Sequence, residues 1–114
     1  MIKYHTSSIG IKIAEILPGS IIISSPEDIL EILVEAGYNG SDKIVIHKNC
    51  LHPDFFDLKT GLAGEILQKF SNYRMKLSII GDFTKVKSKS LKDFIRESNN
   101  RGIISFVDSL DIAL

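Results

Sequence analysis

Residues 25–47 read SPEDILEILVEAGYNGSDKIVIH, and they contain the two signals that decide the fold. The stretch opens with a helix start, because Ser25 can cap free amide groups and Pro26 suits the first helical position. Apolar residues then recur at helical spacing as far as Gly37, where the helix is expected to stop. The last five residues, KIVIH, are apolar and rich in β-branched side chains, which is typical of a strand covered on both faces.

The same alternation continues on both sides of this stretch. Two early strands, Ile2–Thr6 and residues 11–17, are joined by a short turn that suits a hairpin, so the first strand should be antiparallel at one edge. Further helices are predicted over residues 61–73 and 108–114. Another should begin near Ser90, with Asp93 completing a capping box, and end in residues 99–102. Further strands are predicted over residues 77–80 and 103–107.

This order predicts the architecture. Strands that alternate with helices form right-handed crossovers and a largely parallel sheet. We therefore expect a single α/β domain over residues 1–114, with a mostly parallel sheet of four to five strands, an antiparallel edge strand and about four flanking helices. Ligands and partners of such sheets gather at the carboxyl ends of the strands, where residues 48–61 and 81–90 are expected to lie.

Composition limits the classes of function. The apolar fraction of 44% and the charged fraction of 25% argue against disorder. A net charge of zero favours neither nucleic acid nor an anionic membrane as partner. No apolar run reaches the roughly 18 residues of a membrane span. The first residues lack the cationic and then apolar pattern of a signal peptide. The lone Cys50 cannot form an internal disulfide. These features predict a cytoplasmic protein, and no cofactor is expected.

Positive charge is concentrated in one region. Residues 74–101 carry eight Lys or Arg against three Asp or Glu. The cluster consists of Lys85, Lys87, Lys89 and Lys92. A solvated loop and helix face explains it, and a contact to a phosphate or to a partner is the alternative.

Residues 53–64, PDFFDLKTGLAG, and the residues just before them form the segment least explained by packing. His47, Cys50, His52, Asp54 and Asp57 lie within eleven positions. Histidine and thiolate suit zinc or another transition metal, with carboxylates completing the site, and a Cys50 nucleophile with a histidine base is a parallel idea. The structural alternative has His47 closing a strand and Cys50 as a small buried hydrophobe.

Aromatic and helix-start residues follow directly. Phe55 and Phe56 are adjacent, so in an extended segment one would anchor the segment and the other would be available to a partner, unless both lie in the core. Thr60 and Gly61 open the second helix, where free amide groups and the helix dipole favour an anion. Thr60 is therefore either a phosphorylation site or a helix cap.

Two resemblances extend this interpretation. The stretches PDFFDLKTGLAGEILQKFSNYRMKLSIIGDF and SKSLKDFIRESN resemble a family of small bacterial domains of uncharacterised function. The layout is also similar to the STAS domain of sulphate transporters and anti-sigma-factor antagonists, in which Asp-Ser-Ser-Gly-Leu leads into the second helix and a partner kinase phosphorylates the second serine. Thr60, Gly61 and Leu62 would align with Ser-Gly-Leu, although Asp57 stands three residues before Thr60 instead of two.

The similarity to STAS domains implies a non-enzymatic regulatory or protein-interaction module with a phospho-switch at the start of the second helix. Its candidate residues are Asp54, Phe56, Asp57, Thr60 and Gly61. The alternative is a small metal- or thiol-dependent enzyme that uses residues 47–57, with His47, Cys50 and His52 as candidate ligands. The expected partner is another protein, and an exposed edge strand could also pair two copies into a homodimer.

Overall fold

A computed structural model describes residues 1–113, except for the side chain of Ile112. The strands are β1 (Ile2–Thr6), β2 (Lys12–Ile16), β3 (Lys43–His47), β4 (Lys76–Ile80) and β5 (Ile104–Val107). The helices are α1 (Pro26–Tyr38), α2 (Leu62–Asn72), α3 (Lys89–Arg101) and the short α4 (Leu110–Ala113). Three 3₁₀ turns, Lys48–Cys50, Pro53–Phe56 and Leu58–Thr60, lie between β3 and α2. No helix in the described part of the chain is long and apolar enough to cross a membrane.

The five strands form one sheet in chain order, β1-β2-β3-β4-β5. β1 pairs with β2 antiparallel, and the other three pairs are parallel. The predicted α/β fold with an antiparallel edge strand is therefore confirmed. Because each right-handed crossover adds its strand on the same side of the previous one, α1, α2 and α3 all lie on one face of the sheet.

The main core lies between that face and the three helices. Alternate strand residues point into it, as the two-residue period of a strand requires. The fully buried members include Ala14, Ile16, Ile44, Ile46 and Ile79 from the strands and Ile29, Leu33, Ile66 and Phe70 from the helices. This packing supplies most of the apolar burial that stabilises the domain.

On the other face, which we call the open face, α4 is the only covering helix within residues 1–113. Ile13, Val45 and Ile80 form a small second core there with Ala113. The ammonium group of Lys43 donates a hydrogen bond to the backbone carbonyl of Ala113, which ties α4 to β3. Val45 is fully buried here while its neighbours are buried on the helical face, as the prediction of a strand covered on both faces requires.

Some local boundaries differ from the expected ones. α1 continues one residue beyond Gly37, to Tyr38. The cap of α3 is Ser88 and not Ser90, because the Ser88 hydroxyl accepts the N–H of Leu91. The helix consequently begins earlier, and Asp93 forms an ion pair with Arg96 instead of a capping box. The predicted final helix is observed over Leu110–Ala113, and its expected last residue, Leu114, lies outside the described residues.

Candidate functional site

Three polar side chains of the segment between β3 and α2, those of His52, Asp57 and Thr60, bond to the backbone of that segment. His52 accepts the N–H of Asp54 on its Nδ1 atom at 3.0 Å. Asp57 accepts the N–H of Lys59 at 3.2 Å. These are the local side-chain-to-backbone bonds that compete with regular structure and stabilise short turns. His52 and Asp57 therefore stabilise the local turns of this segment.

Thr60 has the same role at the start of α2. Its hydroxyl oxygen lies 2.7 Å from the carbonyl of Asp54 and 2.9 Å from that of Asp57, either of which can accept its proton, and it accepts the N–H of Leu62. Gly61 follows with φ 77°, a left-handed conformation that a side chain would strain. The predicted residues Asp54, Asp57, Thr60 and Gly61 thus meet in one hydrogen-bonded turn, and the Thr60 side chain is exposed.

The candidate metal ligands point in different directions. His47 lies on the open face, where its Nε2 atom is 2.7 Å from a carboxylate oxygen of Glu15. Cys50 is fully buried, with its sulfur 3.7 Å from the carbonyl of Leu17. His52 lies 3.7 Å from the carboxylate of Asp54. Within residues 1–113, no three His, Cys, Asp or Glu side chains are arranged to hold a metal ion.

The two adjacent phenylalanines have different environments. Phe55 is 1% exposed and belongs to the main core. Phe56 is half-buried, packs edge-on against Phe55 at 5.1 Å between ring centroids, and continues toward Phe83. Phe55 therefore anchors the segment, and Phe56 carries an aromatic surface to the carboxyl edge of the sheet.

A groove lies at this edge. It has a volume of about 530 Å³, and we call it the Lys48 groove. Its lining is apolar apart from one cation and one amide: Ile22, Lys48, Asn49, Leu51, Pro53, Phe56, Phe83, Val86 and Leu91. Ile22 is 54% exposed, so one wall of the groove is an open apolar surface. The lining comes from four separate segments, which explains why the sequence did not show the groove.

Lys48 is held in a defined position in this groove. Its ammonium lies 5.7 Å from the ring centroid of Phe56 and 5.3 Å from that of Phe83, and it donates to the carbonyl of Asp82 at 3.1 Å. Gly81 makes this position accessible, because a Cβ there would lie 2.7 Å from the Cβ of Lys48. The faces of aromatic rings attract a cation, and a lysine ammonium can donate charge-assisted hydrogen bonds to an anionic group.

A second polar cluster, not anticipated from the sequence, lies on the open face. Glu15 is 6% exposed, and its two carboxylate oxygens bind the Nε2 atoms of His5 at 2.8 Å and His47 at 2.7 Å. The three residues come from β1, β2 and β3. The sequence did contain one sign of this cluster, because Glu15 is a charged residue within an apolar strand and a buried carboxylate requires partners. Which histidines supply them depends on strand pairing.

The cluster also determines charge states. Burial by itself would raise the pKa of Glu15, but hydrogen bonds from His47 and His5 and the charge of these rings outweigh burial and lower it. Glu15 is therefore ionised at neutral pH. Because an ionised carboxylate only accepts hydrogen bonds, both histidines carry a proton on Nε2.

No curated protein and no solved structure matches the chain. A family model does match, and it covers residues 8–114, which is nearly the whole chain. The long stretches that suggested a family of uncharacterised domains lie within this match. The chain belongs to the DUF4180 family, a domain of unknown function.

Proposed function

We propose that this protein is a non-enzymatic regulatory module that binds a segment of another protein in the Lys48 groove. The observation that carries the proposal is the fixed ammonium of Lys48 over Phe56 and Phe83, within an open apolar lining. Such a groove fits a segment that places an apolar side chain beside an Asp or Glu. The apolar side chain would cover Ile22, and the carboxylate would meet Lys48.

Charge around the groove supports an acidic partner. The lining contains Lys48 and no acidic residue. The exposed Lys85, Lys87, Lys89 and Lys92 flank Val86 and Leu91 in the chain, and these two residues line the groove. Positive charge around an apolar groove steers an acidic segment toward it and disfavours a basic one.

The proposal is favoured over the metal- or thiol-dependent enzyme because of how the candidate side chains are used. His52 and Thr60 bond to nearby backbone, and His47 is bound to Glu15. A general base or a nucleophile needs its reactive atom within reach of a substrate. The groove, in contrast, presents apolar surface and a cation outward.

A phosphate on Thr60 is the proposed switch, and the similarity to STAS domains motivates it. Thr60 is bonded to the carbonyl of Asp54, directly after the groove residue Pro53. A phosphate would add nearly two negative charges beside the groove and repel an acidic partner. Mass spectrometry of the protein recovered from its native host checks for a phosphopeptide containing Thr60. Its absence under all growth conditions would contradict the switch and leave the groove proposal standing.

The proposed location is the cytoplasm. Cys50 is the single cysteine, and its thiol is fully buried against the main core. A protein that keeps one buried free thiol suits a reducing compartment. Fractionation of native cells with an antibody to the protein measures this location directly.

Selection of random peptides tests the groove. Peptides enriched on the immobilised protein should place an apolar residue next to Asp or Glu, and fluorescence anisotropy then gives their affinity. Ile22→Asp adds a negative charge to the groove wall and should weaken binding about tenfold or more. Ile9→Asp is the matched control, because Ile9 is 80% exposed in the β1–β2 turn, at the opposite edge.

Two results would contradict the proposal. One is enrichment of peptides without acidic residues. The other is equal affinity of the wild type and Ile22→Asp for the enriched peptides. Circular dichroism of both variants controls for a loss of fold.

A further inference from the structure

The outer side of α1 carries an apolar stripe, which we call the α1 stripe: Leu30, Val34 and Tyr38. These residues follow one another at a spacing of four, so they lie along one side of the helix. Val34 is 54% exposed and Tyr38 is 91% exposed. Leu30, Val34 and Tyr38 line a shallow hollow of about 520 Å³ together with Glu31 and Glu35. Nothing else in the described chain covers this hollow.

The charge of α1 is uniformly negative. The helix contains four acidic residues and no Lys, Arg or His: Glu27, Asp28, Glu31 and Glu35. Glu31 and Glu35 each neighbour the α1 stripe in the chain and are exposed. An exposed apolar stripe with a row of carboxylates along one side is the chemistry that the Lys48 groove fits.

The groove region has the opposite charge. Residues 81–92 contain four lysines and one aspartate, and Lys48 adds a fifth cation inside the groove. An amphipathic helix that lays its apolar side into an apolar groove is a recurrent mode of protein recognition. The apolar surfaces of the stripe and of the groove would cover each other, and the carboxylates of Glu31 and Glu35 would meet lysines.

We propose that the α1 stripe of one copy occupies the Lys48 groove of a second copy. This inference rests on the proposed function and identifies the acidic, apolar segment that the groove binds. The two surfaces share no residue, so each contact joins unlike surfaces, and we take the arrangement to be head-to-tail. A head-to-tail contact leaves one groove and one stripe unoccupied at the ends of any open assembly, which lets further copies add. Self-association would then regulate access of other partners to the groove.

Salt dependence follows from the same charges. Exposed charges are screened over about 10 Å at 0.1 M salt and over about 3 Å at 1 M. Sedimentation velocity should therefore show dimers and longer assemblies of the wild type at low salt, and a shift toward monomer as salt is raised. The range of protein concentration extends to about 1 mM, where even a weak contact is populated.

Two variants test the direction of the contact. Ile22→Asp disables the groove and keeps the α1 stripe, whereas Val34→Lys disables the stripe and keeps the groove. Each variant alone should associate about tenfold more weakly than the wild type, or more. An equimolar mixture should form a one-to-one heterodimer and nothing larger, because only one intact groove and one intact stripe can meet. The control Ile9→Asp should associate like the wild type.

Three results would overturn this inference: a wild type that stays monomeric over the whole range, variants that associate like the wild type, or a mixture that forms no heterodimer. The proposed function fails separately. If selected peptides bind the wild type and Ile22→Asp abolishes that binding, the groove is a partner site even when α1 does not occupy it. If neither the peptides nor a second copy bind in the Lys48 groove, the proposed function and this inference are both wrong.

Discussion

In the segment between β3 and α2, His52, Asp57 and Thr60 bond to backbone atoms no more than six residues away, whereas Glu15 on the open face bonds to side chains 10 and 32 residues away. Both regions contain histidine and carboxylate. In the first region these groups shape turns. In the second they join three strands. His47, the last residue of β3, directly precedes the segment in the chain and bonds to Glu15 on the neighbouring strand.

The difference lies in what each bond constrains. A local bond restricts a few dihedral angles, and water can replace it at an exposed site. Glu15 is only 6% exposed, so water replaces the bonds of its carboxylate to the neighbouring strands poorly, and breaking them leaves a polar group with little access to solvent. Density of chemically versatile residues along the sequence is therefore a poor guide to where long-range polar contacts form.

Removing the carboxylate at the centre of the open-face cluster should have the largest effect. Glu15→Ala leaves His5 and His47 without their partner and should lower the free energy of unfolding by about 2 to 3 kcal/mol. Urea unfolding followed by circular dichroism measures the loss. Glu31→Ala, on the exposed side of α1, is the control and should change stability by less than about 0.5 kcal/mol. Equal losses of stability in the two variants would show that the bonds of Glu15 to His5 and His47 do not stabilise the fold.

The pH dependence of stability should isolate the charge of Glu15, which accounts for part of that loss. Its pKa is lowered in the folded protein from the usual 4.5. A lowered pKa contributes stability that is present above pH 4.5 and is lost as pH falls through the folded-state pKa. Glu15→Gln lacks this contribution, so the stability difference between wild type and variant should shrink as pH falls below 4.5. A stability difference that stays constant as pH falls well below 4.5 would mean that the charge of Glu15 is not involved.

The turn at Thr60 should show the smallest effect. Thr60→Ala removes the hydroxyl bonds to the carbonyls of Asp54 and Asp57 and should cost about 1 kcal/mol, because water can reach these groups. Thr60→Ser keeps the hydroxyl and is the matched control. The same urea titration compares the three proteins. A loss for Thr60→Ala as large as that for Glu15→Ala would remove the contrast between the two regions.

Much of the fold was predictable because its signals are local. The bounds of β1 and β3 agree with the prediction, since apolar runs and turn residues define them. The start of α1 at Pro26 follows from the cap Ser25, whose hydroxyl accepts the N–H of Asp28. The start of α3 was misplaced because Ser88 and Ser90 are both plausible caps, and the structure shows that Ser88 accepts the N–H of Leu91.

The candidate site was predictable only in part. The segment 53–64 does lie at the carboxyl edge, and Phe56 does contribute to a groove there. Lys48 and Ile22 were not anticipated, because their place in the groove depends on where β4 ends and on how residue 81 passes beneath the Lys48 side chain.

By itself, the sequence determined the alternation of helix and strand, the right hand of the crossovers and the antiparallel edge strand, since these depend on periodicity, caps and the chirality of the chain. The order of the five strands came from the tertiary structure. Only the tertiary structure decided that Glu15 meets two histidines, that Cys50 is buried, and that Lys48 lies over two aromatic rings. Those contacts join segments far apart in the chain. Their formation depends on strand register and on the packing of side chains, and no local pattern encodes either of them.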